Sequence, residues 1–187
     1  SAMMYDCEER ERKKVLVLFS GPYIRKDGIH TYLAELDHDT MMVDNCPGGD
    51  AAHDLMIDSY FMEVLRRVQS REFTAIVAAP PCSTFSVSRH FPTASDGLPG
   101  PPPVRNRDHP KGLPEVPAEH GRELGTANML VARTCTILLA GATAGAEFIM
   151  ENPSDRGDPG DKYMFLHSDH APLWLMPEVQ MLQLATA

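Results

Sequence analysis

The sequence predicts an α/β domain: a mainly parallel sheet flanked by helices in a single domain. Two observations predict the architecture. Short apolar runs of strand length alternate with segments whose apolar residues recur at helical spacing, the pattern of successive βαβ units. Each apolar run also stops at Gly, Pro, Asn or Asp, the residues that turn a chain. A third observation bounds the size. The chain has 187 residues, 43% of them hydrophobic, which is enough for one buried core and short for two.

Taken in order, Val15-Leu16-Val17-Leu18-Phe19 reads as a buried strand ending at Ser20-Gly21-Pro22. Asp27 is placed to cap a helix over 28–36, where Ile29, Tyr32, Leu33 and Leu36 share one face. A second strand, Thr40-Met41-Met42-Val43, closes on Asp44-Asn45 and the turn residues Pro47-Gly48-Gly49. Asp58 or Ser59 caps the next helix, whose Phe61, Val64, Leu65 and Val68 repeat at helical steps until Ser70. Residues 73–79 form a third apolar strand, stopped by Pro80-Pro81. The stretch from His90 to Pro117 carries eight of the sixteen prolines and no periodicity, so it reads as a long loop of the functional or disordered kind. A long helix follows from near Ala118 to a stop at Gly145, with Leu130, Val131, Thr134, Ile137 and Leu138 on its inward stripe. Glu147-Phe148-Ile149-Met150 is a fourth strand ended by Glu151-Asn152-Pro153, and Val179-Gln180-Met181-Leu182 is expected as an edge strand.

Composition narrows the function. No apolar run reaches bilayer-spanning length, and the charged start of the chain does not resemble a secretory signal, so no membrane role is expected. Ser1-Ala2-Met3 reads as a cloning scar and residues 4–187 as the domain. Cys7, Cys46, Cys82 and Cys135 lack paired spacing. That suits free thiols in a reducing intracellular compartment, nucleus or cytoplasm. A net charge of -9 argues against a general grip on nucleic acid, although Arg89, Arg105, Arg107 and Lys111 make one segment locally basic.

Parallel sheets bind ligands outside the carboxyl ends of their strands. Phe19-Ser20-Gly21, Asp44, Cys82 and Glu151 each follow a strand directly, which brings them to one edge. A thiol leaving that edge through Pro80-Pro81 faces the ligand crevice, and it serves as a nucleophile once its pKa of ~8.5 is lowered by nearby cations such as Arg89. Taken alone, such a cysteine is more often a small buried residue. Glu151, ending an apolar strand, is expected to be desolvated, its pKa raised so that it can donate a proton near neutral pH; a turn-capping carboxylate is the alternative.

Together these segments resemble the cytosine-C5 methyltransferase family. Pro81-Cys82 with Phe85-Ser86, Glu151-Asn152, and Leu18-Phe19-Ser20-Gly21 match its elements in order and rough spacing over residues 15–153. The resemblance implies a Rossmann-like S-adenosylmethionine methyltransferase fold in minimal form. It implies Cys82 as nucleophile toward C6 of cytosine and Glu151 as the acid that holds the ring. Phe19, Ser20, Gly21, Asp44, Asn45, Asp54 and Pro80 would line the cofactor site, Asp44 on the ribose hydroxyls and Asp54 on the adenine amine. Ser86, Arg89, Arg105, Arg107 and Asn152 would meet the substrate, a nucleic acid, with DNA favoured over RNA.

The chain departs from that family where Val17 replaces an acid and where Gly21 is followed by Pro22 instead of a second glycine step. Arg105-Asn106-Arg107 stands in only partly for an arginine element found elsewhere in the family, and the target-recognition domain is missing, so either the proline-rich loop substitutes or a partner domain, subunit or deleted region supplies that role. A catalytically inactive binding or assembly module within a larger polyprotein is the competing expectation. A zinc deaminase is excluded because Phe85 stands where a second cysteine is needed, and a nicotinamide dehydrogenase because Gly21 lacks its companion glycines. His167 and His170 in a polar tail are read as solvated, with no metal site.

Overall fold

The computed structural model describes residues 13–22, 24–45, 50–91, 100–158, 160, 162 and 165–187. Ser1-Ala2-Met3, Cys7, Cys46, the Pro47–Gly49 turn and residues 92–99 of the proline-rich stretch lie outside them. The four expected strands form one parallel sheet: β1 (Lys14–Leu18), β2 (Asp39–Val43), β3 (Ala75–Ala78) and β4 (Glu147–Met150), in the order β2-β1-β3-β4. Helices α1 (Ile29–Glu35), α2 (Asp58–Gln69) and α3 (Ala118–Ala144) make the three crossovers. The chain steps from β1 to β2 on one side and then returns past β1 to β3, so the switch point lies between β1 and β3.

β1 is central and buried from Val15 onward, which is why its run is continuously apolar. Leu16, Leu18, Ile76, Ala78, Val64, Val68, Val131, Ile137 and Leu138 form the core between sheet and helices. Burying each of the large aliphatic side chains contributes on the order of 1.5–3 kcal/mol. α3 ends where expected, with Gly145 at φ 93 and its N–H on the Ala142 carbonyl, a left-handed stop open to glycine. By length and composition α3 could cross a bilayer, with a mean hydropathy of 1.3 over its most apolar window, so the expectation that no such segment exists is corrected. In this fold α3 is a core helix that buries Val131, Ile137 and Leu138.

Three local expectations are also corrected. Residues 179–182 are not an edge strand but part of α4 (Pro177–Thr186). Pro177 occupies a first-turn position, and Val179 and Leu182, three apart, are both buried, a helical step that outweighs the apparent alternation. Asp27 does not cap α1: it pairs with Arg25 at 3.1 Å, and Gly28 takes the N-cap position. The apolar face of α1 stays largely in solvent, with Ile29, Tyr32 and Leu36 all exposed, because a seven-residue helix has only two turns with which to reach the sheet. In α2, Ile57 is the N-cap and Asp58 lies inside the first turn, where its charge suits the helix dipole.

Candidate functional site

The carboxyl edge at the switch point opens into a cavity of about 630 Å³. Its wall takes Phe19 from β1, Val43, Asp44 and Asn45 from β2, Ala79 and Pro81 from β3, and Thr126 and Leu130 from α3, with residues 53–56 closing one side. Local backbone chemistry builds this opening. Phe19 and Gly21 both adopt left-handed φ, 60 and 73, which turns the chain sharply off β1. For Phe19 that conformation is costly and must be held by its surroundings. Phe19 N–H donates to the Val43 carbonyl at 2.8 Å, and Gly21 N–H donates to Asp44 Oδ2 at 2.8 Å. Asp44 is thus tied to the loop after β1, and Asp54 turns its own loop by accepting from Met56 N–H at 2.7 Å through Oδ1. Phe19, Asp44, Asn45 and Asp54, all expected around a cofactor, converge on this cavity, whereas Ser20, Gly21 and Pro80 do not line it.

Cys82 is exposed and opens the 3-10 turn Ser83–Phe85. Glu151 leaves β4 beside it in register: its N–H donates to the Ala78 carbonyl at 2.9 Å, and the Asn152 side-chain amide donates to the Pro80 carbonyl at 2.9 Å. The thiol and the acid therefore depart from neighbouring strands at one edge. The expected desolvation of Glu151 does not occur. β4 is an edge strand, Glu151 is exposed and Ile149 two residues earlier is 65% exposed, so no apolar cover withdraws the carboxylate from water.

The structure commits the polar residues expected at the substrate to protein partners, and buries Arg89, Arg105 and Asn152. Arg89 is buried: Nε donates to the Ser83 carbonyl at 2.7 Å, Nη1 to the Pro102 carbonyl at 3.1 Å and Nη2 to Glu123 Oε1 at 2.5 Å. Arg105 is 2% exposed, donates to Thr84 Oγ1 at 2.8 Å and to the Pro110 carbonyl at 2.5 Å, and lies 3.8 Å above the Phe85 ring. Burial, with Arg89 nearby, lowers its pKa to about 10, which still leaves it charged. Arg107 grips Asp155 at 2.8 Å. Ser86 turns its hydroxyl to Ser88 Oγ at 2.7 Å, and Asn152 spends its amide on Pro80. Arg89 and Arg105 fasten the Cys82 segment and the described part of the proline-rich stretch, residues 100–117, to α3 and the core, and Arg107 ties that stretch to the segment after Glu151.

His170 completes this bracing. The solvated position expected for it is corrected: it is 2% exposed, Nε2 pairs with the Phe85 carbonyl at 2.8 Å, and Nδ1 accepts from Arg156 N–H at 3.0 Å. Because Nδ1 accepts a backbone N–H, the proton sits on Nε2, and the neutral ring bridges the segment after Cys82 to the segment after Glu151. Burial lowers the pKa of His170. His90 stacks on His167 at 4.2 Å, and its pKa is lowered to about 4 by burial and then by His167 and His170. With both nitrogens of His170 committed, it has none for a metal, and among the described residues no cluster of metal-ligating side chains occurs.

Two further hollows bear on the chemistry. One of about 400 Å³ shares Pro81, Thr126 and Leu130 with the switch-point cavity and continues toward Ser83, Glu119, Arg122 and Glu123. Another of about 410 Å³ lies between α2 and α3, away from the sheet edge, with Arg71 as its one charged wall residue. Sequence reasoning missed Thr126, Leu130 and His53 as wall residues. The first two are four apart on α3, a spacing that places both on one helical face. His53 was visible only as the neighbour of Asp54.

Comparison with known protein families, characterised proteins and solved structures finds no match.

Proposed function

We propose that this protein is an S-adenosylmethionine-dependent methyltransferase acting on C5 of cytosine in nucleic acid, DNA in preference to RNA. The observation that carries the reading is the cavity at the switch point, lined by Phe19, Asp44, Asn45 and Asp54 and bordered by Pro81 next to exposed Cys82. Its donor set fits an adenosyl group: Asp54 Oδ1 is taken by Met56 N–H, which leaves its second oxygen for an exocyclic amine, while half-buried Asp44 suits ribose hydroxyls and Phe19 an apolar contact. Bound there, S-adenosylmethionine supplies an electrophilic methyl group.

In this reading Cys82 adds as thiolate to C6 of the cytosine while Glu151, exposed in the free protein and covered by the base once it is bound, delivers a proton to N3, which makes C5 nucleophilic. After C5 is methylated, water accepts the C5 proton, Cys82 leaves as thiolate and the N3 proton returns to the Glu151 carboxylate, which restores the ring. The adjoining hollow at Ser83 and Glu123 offers room for part of the target. A partner domain or subunit supplies target recognition, and the free thiols Cys82 and Cys135 suit a reducing intracellular setting.

One observation favours the inactive binding module instead. The Gly21 N–H is committed to Asp44 rather than open to a ligand. Calorimetric titration with S-adenosylhomocysteine separates the two: binding is expected, and absence of heat with this ligand and with S-adenosylmethionine selects the binding module. Methyl transfer to DNA and RNA should then be lost in Cys82→Ala, and equal activity in that variant removes the proposed nucleophile.

A further inference from the structure

We propose that the imidazole of His53, backed by Tyr60, is the plate on which the purine of a nucleoside ligand stacks in the switch-point cavity. This rests on reading that cavity as a nucleoside site and adds a specificity-determining residue to it. His53 lines the cavity, and its ring lies 5.1 Å from that of Tyr60 with 16° between the planes. Tyr60 is not part of the wall, so it supports the imidazole from behind.

The ring is held before any ligand arrives. Residues 51–53 form a 3-10 turn capped by Asp50, which accepts Ala52 N–H at 2.8 Å, and the Asp50 carbonyl accepts His53 N–H at 2.8 Å. Asp50 Oδ2 also stands 3.7 Å from His53 Nε2. A ring fixed by its own turn on one side and by α2 on the other loses little freedom on binding, which favours affinity. The next residue, Asp54, lies on the same wall with one carboxylate oxygen unused by Met56 N–H. A flat face from His53 and an acceptor edge from Asp54 together recognise a 6-aminopurine by face and by edge.

The test is calorimetry of S-adenosylhomocysteine and of adenosine with wild type, His53→Ala, His53→Gln and His53→Phe. Stacking on one base predicts a loss of about 5- to 150-fold in Ala and Gln, with Phe within about threefold of wild type. Thermal melts check that each variant folds, and Gln and Phe decide the matter if Ala does not. Wild-type affinity in His53→Ala, or recovery by Gln equal to that by Phe, overturns the stacking role and leaves the nucleoside site standing. Absence of binding of both ligands to wild type removes the site itself and the stacking role with it.

Discussion

The two sides of the switch point are built differently. On the β1 and β2 side, Asp44, Asn45 and Asp54 line a cavity, Asp44 accepting the Gly21 N–H and Asp54 the Met56 N–H. On the β3 and β4 side, Arg89, Arg105, Asn152 and His170 are all buried, and each ties loop segments to the rest of the fold by directed hydrogen bonds. The first side sets its acids on a cavity wall; the second turns its polar side chains into the protein and holds one segment still. Under the proposed function, the bracing around Cys82 serves the geometric control that a covalent step requires, and acids on a cavity wall serve binding.

Arg105 is where this contrast breaks most easily. Arg105→Ala leaves the Pro110 carbonyl and the Thr84 hydroxyl without their donor and opens a hole over Phe85. The expected cost is about 3 kcal/mol, read as a fall in melting temperature of roughly 6–12 °C for a chain of this size. Arg105→Met, which keeps the apolar stem, should lose less. A variant that melts as wild type while losing nucleic-acid binding would place the guanidinium in solvent and reverse the assignment of this side as structural.

Acid should weaken the same side next. His90 and His170 both have lowered pKa values in the folded chain, so between about pH 6.5 and 4 the unfolded chain binds more protons than the folded one. Stability therefore falls as pH drops through that window and is fully present above it. His90→Phe keeps a ring against His167 and removes one titrating group, so its acid loss, followed by denaturant midpoints from pH 7 to pH 4, should be shallower. An unchanged slope would show that His90 does not carry the effect.

Much of this architecture was legible in the sequence: burial on both faces writes itself as a continuous apolar run in β1, and the inward stripe of α3 as apolar residues at helical spacing. The common edge was legible too, since Asp44, Cys82 and Glu151 each follow a strand. What was not legible is where long polar side chains turn. Arg89 and Arg105 read as basic surface because charge is usually exposed, yet their partners are carbonyls at Ser83, Pro102 and Pro110, which no residue type announces. Glu151 failed in the opposite sense: its apolar neighbours suggested burial, but strand order decides exposure, and β4 lies at the edge. Val179-Gln180-Met181 alternates over three positions only, too short a window against a helix entered through Pro177.

The smallest expected effect on folding sharpens the comparison most. Asp44→Asn keeps an oxygen that can accept the Gly21 N–H, replaces the other with an amide nitrogen and removes the charge from a half-buried position. Folding stability should change by less than about 0.5 kcal/mol, the usual range for a substitution that breaks no buried network. Affinity for S-adenosylhomocysteine, by contrast, should drop at least about tenfold, because a carboxylate accepts from both hydroxyls of a ribose and charge-assisted bonds are roughly twice as strong as neutral ones. Urea midpoints and calorimetry on the same preparation read both quantities. Should stability fall with affinity unchanged, Asp44 would be a brace like Arg89, and the β1 and β2 side would no longer differ in kind from the side that carries the thiol.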